Sequence, residues 1–180
     1  MKIHLIRHLK PLIKAGVCYG RLDIPMDPEE AGEMQMLATN PLLRGAARVW
    51  SSPALRCRVL AESIAPLLSA PLVIDQRIVE LDFGAWEGRN WDDVAQEDLD
   101  RWSADLLKFR APGGESCEDM VARVQEFHRS LIDAGEDCVV VSHGGPLKIL
   151  TALLRGNSVD LLQPAPGMGK LISITCSARN

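Results

Sequence analysis

The chain has 180 residues, 47% of them apolar and 24% charged, with 20 Lys and Arg against 24 Asp and Glu for a formal net charge of −4. That balance belongs to a folded globular protein of about one domain and excludes a disordered chain or a generally basic nucleic-acid coat. Residues 3–7 (IHLIR) are short and apolar on both faces, as a buried strand requires. Lys2, Arg7 and Lys10 interrupt any signal-peptide core there, and no apolar run approaches the roughly 18–20 residues of a membrane span. A cytoplasmic protein with no membrane or nucleic-acid partner is expected, its oligomeric state left open. Asp27-Pro28-Glu29-Glu30 reads as a helix start, with Asp as cap and Pro at the first position, and Pro41 stops the helix. Ala47–Ser51 is a second strand, and a second helix is expected to begin at Ser52-Pro53. Leu72–Asp75 is a third strand. Asn90–Phe109 reads as one or two helices with tryptophans on one side, broken by Ala111-Pro-Gly-Gly114. Ser116, with Asp119 three residues on, caps a longer helix whose apolar period runs to Ile132 and which Gly135 ends.

Cys138–Ser142 (CVVVS) is the clearest buried strand; Gly144-Gly145-Pro146 leads into an apolar helix closed by Gly156, and Leu171–Cys176 is a final strand. Five scattered cysteines with no CxxC pair argue against a disulfide framework or a thiolate zinc site. No repeat or linker divides residues 1–180, so the expectation is a single α/β domain with a largely parallel sheet covered on both faces.

In such folds ligands bind outside the carboxyl ends of the strands. The residues predicted there are Arg7-His8, Ser51-Ser52 with Arg56 one turn on, Glu80 and Asp82, and His143-Gly144. Each has an ordinary alternative. His8 could be a turn residue, Arg7 and Arg56 could be surface ion-pair partners, Glu80 could solvate a loop, and His143-Gly-Gly could be a bare strand-to-helix turn. Together they place two imidazoles, two guanidiniums and a carboxylate on one rim of an acidic protein. That composition points to an anion site and favours phosphate: arginine matches phosphate oxygens with a planar fork, and the helix starts at Ser52-Pro53 and Gly145-Pro146 would add N–H donors. A neutral imidazole can attack phosphorus if its oxygens are neutralised, and a carboxyl must protonate the departing alkoxide.

The segments LIRHLKP (5–11), SSPALRC (51–57), VELDFGAWEG (79–88), PGGES (112–116) and VVVSHGGPLKIL (139–150) occur in this order across nearly the whole chain. As an ordered set they resemble the histidine phosphatase superfamily, the phosphoglycerate-mutase-like proteins. The resemblance implies a three-layer α/β/α sandwich and a phosphomonoesterase with a phosphohistidine intermediate, no metal and no cofactor, acting on a phosphorylated small molecule. By the same resemblance His8 is the nucleophile, Arg7, Arg56 and His143 form the phosphate pocket, and Glu80 is the proton donor. Lys10, Ser52, Asp82 and Gly144 are candidate accessories, Asp82 as a reserve acid on the same side of an extended segment as Glu80. The family's usual Gly after its Arg-His pair is Leu9 here, which must turn away from the phosphate or narrow the pocket, and Lys10-Pro11 replaces its usual Glu-Thr or Glu-Ser. CYGRLDIPM (18–26) resembles the bacterial branch of α-ribazole-phosphate phosphatases of cobalamin biosynthesis. A broad-specificity phosphatase or a mutase-like enzyme is the alternative, with a non-catalytic phosphate-binding protein or a metal-dependent hydrolase behind it. The tryptophan region from Trp86 to Trp102 is expected to lid the leaving group, against ordinary core packing for at least two of its indoles.

Overall fold

In the computed structural model, which describes residues 1–176, strands β1 (Lys2–Arg7), β2 (Arg48–Ser51), β3 (Leu72–Ile74), β4 (Cys138–Ser142) and β5 (Leu171–Thr175) form one sheet. Its order is β3-β2-β4-β1-β5. The first four strands run parallel and β5 pairs antiparallel with β1 at the edge. Alternation along the central strands splits the core into two layers. Val139 and Val141 of β4 join Ile6 and Val49 against helices α1 (Ala31–Ala38) and α2 (Leu55–Leu68). Cys138 and Val140 join Ile3 and Leu5 against α4 (Cys117–Ala134) and α5 (Gly144–Leu154). The result is a three-layer α/β/α sandwich with a mixed, mainly parallel sheet.

The long helix α4 shows how local sequence fixes an element. Ser116 accepts from the Asp119 N–H while the Asp119 carboxylate accepts from the Ser116 N–H at 2.8 Å, a reciprocal box closing the N-terminus. Met120, Val124, Phe127 and Leu131 then recur on one buried face, and Gly135 ends the helix at φ 64°. Ser116→Ala should lower the unfolding free energy by about 1 kcal/mol. The urea midpoint reports it, and an unshifted midpoint would show that the box adds nothing.

Two expected helices differ in extent. The chain bends at Pro53 and Ala54 and the helix begins only at Leu55, whose N–H is taken by Asp23 Oδ1 at 2.7 Å, so this start offers the rim fewer free donors than expected. Asn90–Phe109 holds one α-helix, α3 (Gln96–Ala104). Before it the Asn90 side chain caps a 3₁₀ turn at Trp91–Asp93, and the backbone is extended at Val94 and Ala95. Likewise Asp27 caps a 3₁₀ turn at Pro28–Glu30 that runs directly into α1.

Candidate active site

Strand register brings the site together. Arg7 pairs with Ser142 and Ser51 with Val141, so β1, β4 and β2 end flush. The ladder runs one step further: the His8 N–H donates to Ser142 O and the Ser52 N–H to Val141 O, both at 3.0 Å. His8, His143 and Ser52 therefore leave three adjacent strands at one level.

His8 is 1% exposed, and its Nδ1 lies 2.7 Å from Leu9 O. A carbonyl only accepts, so Nδ1 carries the proton and the neutral ring's lone pair is on Nε2. Burial pushes its pKa down to about 3, with Arg56 and Arg7 reinforcing the shift. Desolvation is thus the main reason the ring stays neutral, with the arginine field acting in the same direction. The His143 ring is 5.1 Å away at 67°. Its Nδ1 is 3.2 Å from Arg56 Nη2 and its Nε2 is 2.7 Å from Ser52 Oγ. A guanidinium cannot accept, so Nδ1 accepts, Nε2–H donates to Ser52, and this ring too is neutral. Burial, then the neighbouring cationic groups, puts its pKa well below the usual range. Cys57 Sγ sits 3.5 Å from the same Nε2, with its thiol pushed up to about 12 by burial and hence unreactive.

Both imidazoles take up a proton more readily in the unfolded chain than in the folded one. Stability should therefore be intact at pH 7 and fall as the pH drops from about 6.5 toward 3, by about 1.4 kcal/mol per pH unit for His8, with His143 acting in the same direction. His8→Asn should flatten the slope of unfolding free energy over pH 4–6; an unchanged slope would assign it to other groups.

Arg56 is fully buried, donating from Nη1 to Leu22 O at 2.7 Å and from Nη2 to Gly20 O at 2.6 Å, with its guanidinium over the Tyr19 ring. Residues 18–22 thereby clip the arginine, and Glu87 clips them in turn by accepting the Arg21 and Leu22 N–H groups. Arg7 Nη1 donates to Pro166 O at 2.7 Å. The Nε atoms of both arginines are buried without a hydrogen-bond partner, and neither has a carboxylate within 4.0 Å among the described residues. A fully buried guanidinium and a half-buried one beside two neutral rings make a strong receptor for an anion.

Glu80 closes the site, accepting from Leu81 N–H at 3.0 Å and from Gly145 N–H at 3.2 Å. A Cβ on Gly145 would come within 2.4 Å of Glu80 Oε1, and one on Gly144 within 3.2 Å of Arg7 Cζ, so the glycine pair is what lets α5 approach both charged groups. Glu80 and His143 line a common cavity of about 250 Å³ with Gly20 and Arg21. Arg123 of α4, which no motif in the sequence singles out, donates to the carbonyls of Arg77, Val79 and Glu80 and pairs with Glu115 at 2.6 Å. It holds the strand-like segment that presents Glu80.

Other candidates stand apart. Asp82 Oδ1 accepts from Gly84 N–H at 2.8 Å, where the chain enters the turn at Gly84–Trp86, and Oδ2 is 3.7 Å from Arg21. Lys10 is spent on Asp27 at 3.0 Å. Leu9 turns into the α1/α2 core and leaves the pocket open. The indoles of Trp86, Trp91 and Trp102 pack on one another, with Trp91 and Trp102 stacked at 5.7 Å, so packing is their first role. Among the described residues no group of three or more His, Cys, Asp or Glu side chains is gathered to hold a metal.

The chain is similar to known proteins. The crystal structure of the α-ribazole phosphatase from Shigella flexneri superposes with a TM-score of 0.88 at 25% identity, covering 97% of this chain and 90% of that one. Phosphoserine phosphatase 1 of Hydrogenobacter thermophilus is 29% identical over 167 residues, 89% of this chain and 78% of its own. The protein named "Probable phosphoglycerate mutase GpmB" of Escherichia coli O1:K1 / APEC is 29% identical over 163 residues, 87% and 75% of the two chains. A family profile described as "Histidine phosphatase superfamily (branch 1)" matches residues 3–176, and the chain belongs to that family.

Proposed function

We propose that the chain is a phosphomonoesterase working through a phosphohistidine, and within that class an α-ribazole-5′-phosphate phosphatase of cobalamin biosynthesis. The observation that carries the reaction class is the tautomer of His8: Nδ1–H is committed to Leu9 O, which leaves the Nε2 lone pair on the rim shared with Arg7, Arg56 and His143. The arginines neutralise the phosphoryl oxygens, and Nε2 attacks phosphorus in line. As the P–O bond to the alcohol breaks, Glu80 gives its proton to the leaving oxygen. Glu80, now a carboxylate, takes a proton from water, whose oxygen attacks phosphorus and breaks the P–N bond, returning neutral His8 and inorganic phosphate. Ser52 keeps His143 in the tautomer that accepts from Arg56. Nothing in these steps calls on a metal, so activity is expected to survive exhaustive chelation.

The α-ribazole assignment draws on the 18–26 segment, whose Gly20 and Leu22 carbonyls grip Arg56, and on the likeness to the Shigella flexneri phosphatase. The phosphoserine phosphatase and mutase names of two relatives favour a second reading, a phosphatase of broad specificity or a mutase-like enzyme. A panel of α-ribazole phosphate, phosphoserine and 3-phosphoglycerate, assayed with chelator for released phosphate, separates them. A kcat/KM for α-ribazole phosphate no higher than for the others would reject the first reading.

A further inference from the structure

Arg21 lines the same cavity as Glu80 and His143, yet its guanidinium is drawn aside: Nη2 lies 3.1 Å from Glu115 Oε1 and Nε 3.7 Å from Asp82 Oδ2. The Glu80 carboxylate in turn has no cation within 4.0 Å among the described residues. We propose that Glu115 is a positioning residue of the reaction: it holds Arg21 away from Glu80, so that the arginine does not pair with the acid and keep it ionised. The proposal rests on the phosphomonoesterase reading, in which Glu80 delivers the proton, and names a residue on which that delivery depends.

Backbone packing sets Glu115 in place. Glycines let the 112–115 turn lie directly on the 82–84 segment, since a Cβ on Gly114 would strike Asp82 O and one on Gly84 would strike Pro112 O. The two segments then exchange hydrogen bonds, Glu115 N–H to Asp82 O at 3.0 Å and Asp82 N–H to Glu115 Oε1 at 3.2 Å. Arg123 grips the carboxylate with a fork, Nη2 to Oε1 at 2.6 Å and Nε to Oε2 at 3.2 Å. The Glu115 side chain is 14% exposed and that of Arg21 43%. The arginine is therefore the partner that can move, and the fixed carboxylate decides where it rests.

Glu80 has room for a cation. Its oxygens accept one N–H each, from Leu81 and Gly145, and a carboxylate offers about four lone-pair sites. The charged and titratable groups around it are Arg21, Asp23 and His143 on the phosphate side, Cys117 and Lys148 on the opposite side, Arg123 at its carbonyl and Arg7 beyond Gly144. Of the cations, Lys148 is tied to Leu161 O, Arg7 to Pro166 O, and Arg123 to three carbonyls and Glu115. Arg21 alone is held only by side chains at the surface. An arginine beside a carboxylate favours its charged form by roughly one to three pH units, and an ionised Glu80 has no proton for the leaving oxygen.

The test compares kcat/KM for benzyl phosphate, whose alkoxide needs a proton to depart, with that for 4-nitrophenyl phosphate, whose phenolate does not. Glu115→Gln keeps the side chain's shape and an acceptor for Asp82 N–H while deleting the charge. At neutral pH it should lower the benzyl-to-nitrophenyl ratio about tenfold, as losing one pH unit of protonated acid requires. Adding Arg21→Gln should return the ratio to within about threefold of wild type, which no loss of packing around Glu115 would explain. Glu115→Asp, which keeps the charge and withdraws it from Arg21, should give a smaller fall that the same second substitution relieves, and serves if the glutamine variant does not fold. Independently of turnover, the ¹³C carboxyl titration of Glu80, assigned with Glu80→Gln, should move down by about one pH unit in Glu115→Gln and return with Arg21→Gln. An unchanged ratio, a fall that Arg21→Gln leaves in place, or a carboxyl titration that stays put would overturn the proposal. Absence of turnover on both esters, with no phosphate bound covalently to His8, would instead defeat the phosphomonoesterase reading, and the carboxyl titration would still decide whether Glu115 keeps Arg21 from Glu80.

Discussion

His8→Ala is expected to lower phosphate release by at least about 10⁴-fold and to abolish the acid-labile phosphoenzyme that wild-type protein should trap on brief incubation with substrate and acid-free quenching. The magnitude is that of removing a covalent nucleophile whose partners act as a unit. The prediction is sharp because His8 is organised for one atom. Leu9 O takes the Nδ1 proton, burial keeps the ring neutral down to a pKa of about 3, and only Nε2 retains a lone pair. Alanine removes that lone pair without removing Arg7, Arg56 or His143, so the variant should still bind inorganic phosphate. Turnover within tenfold of wild type, or phosphate recovered on another residue, would move the chemistry elsewhere.

The rim was readable from sequence because strand ends are local features: Arg7-His8 follows an apolar run, and His143 follows CVVVS. Parallel pairing then makes neighbours of residues 7, 52 and 143, which only the alternation of strands and helices implied. The box at Ser116 was likewise legible, since its partners lie three residues apart. What sequence could not show is who receives each donor. Arg56 ends on Gly20 O and Leu22 O, 36 and 34 residues away, Arg7 ends on Pro166 O, and Arg123 braces the backbone of Glu80. Backbone carbonyls leave no mark in a sequence. The contact of Asp82 is of the same kind, since its carboxylate receives the backbone N–H of Gly84 where the chain enters a turn. The helix at Asn90–Phe109 was overextended because its tryptophan spacing reflects a cluster of indoles drawn from a turn and a helix together.

Arg56→Met is expected to reduce kcat/KM by about 10³-fold or more, the loss that follows when a preorganised donor to a developing anion is removed. Methionine keeps much of the stem's volume and deletes only the charge and the fork. In the resting protein two effects oppose each other. A buried cation with no carboxylate partner disappears, which relieves desolvation, while Gly20 O and Leu22 O lose their donor. The unliganded variant should therefore unfold within about 2 kcal/mol of wild type. The difference shows when anion is added. At a hundred times its Kd, inorganic phosphate should stabilise the wild-type protein by about 2.7 kcal/mol, and at the same concentration Arg56→Met should gain little of that. Arg56→Lys should fall between the two, because an ammonium restores the charge but cannot reach Leu22 O, Gly20 O and a phosphoryl oxygen from one fork. His143 adds a cross-check: in the methionine variant its Nδ1 loses the Arg56 donor and a neighbouring positive charge, so the folded protein takes up a proton there more readily and the fall in stability toward acid pH should be smaller than in wild type. A methionine variant that phosphate stabilises as strongly as wild type would show that the anion lies away from this guanidinium, and with it would go the assignment of the rim as the phosphoryl site.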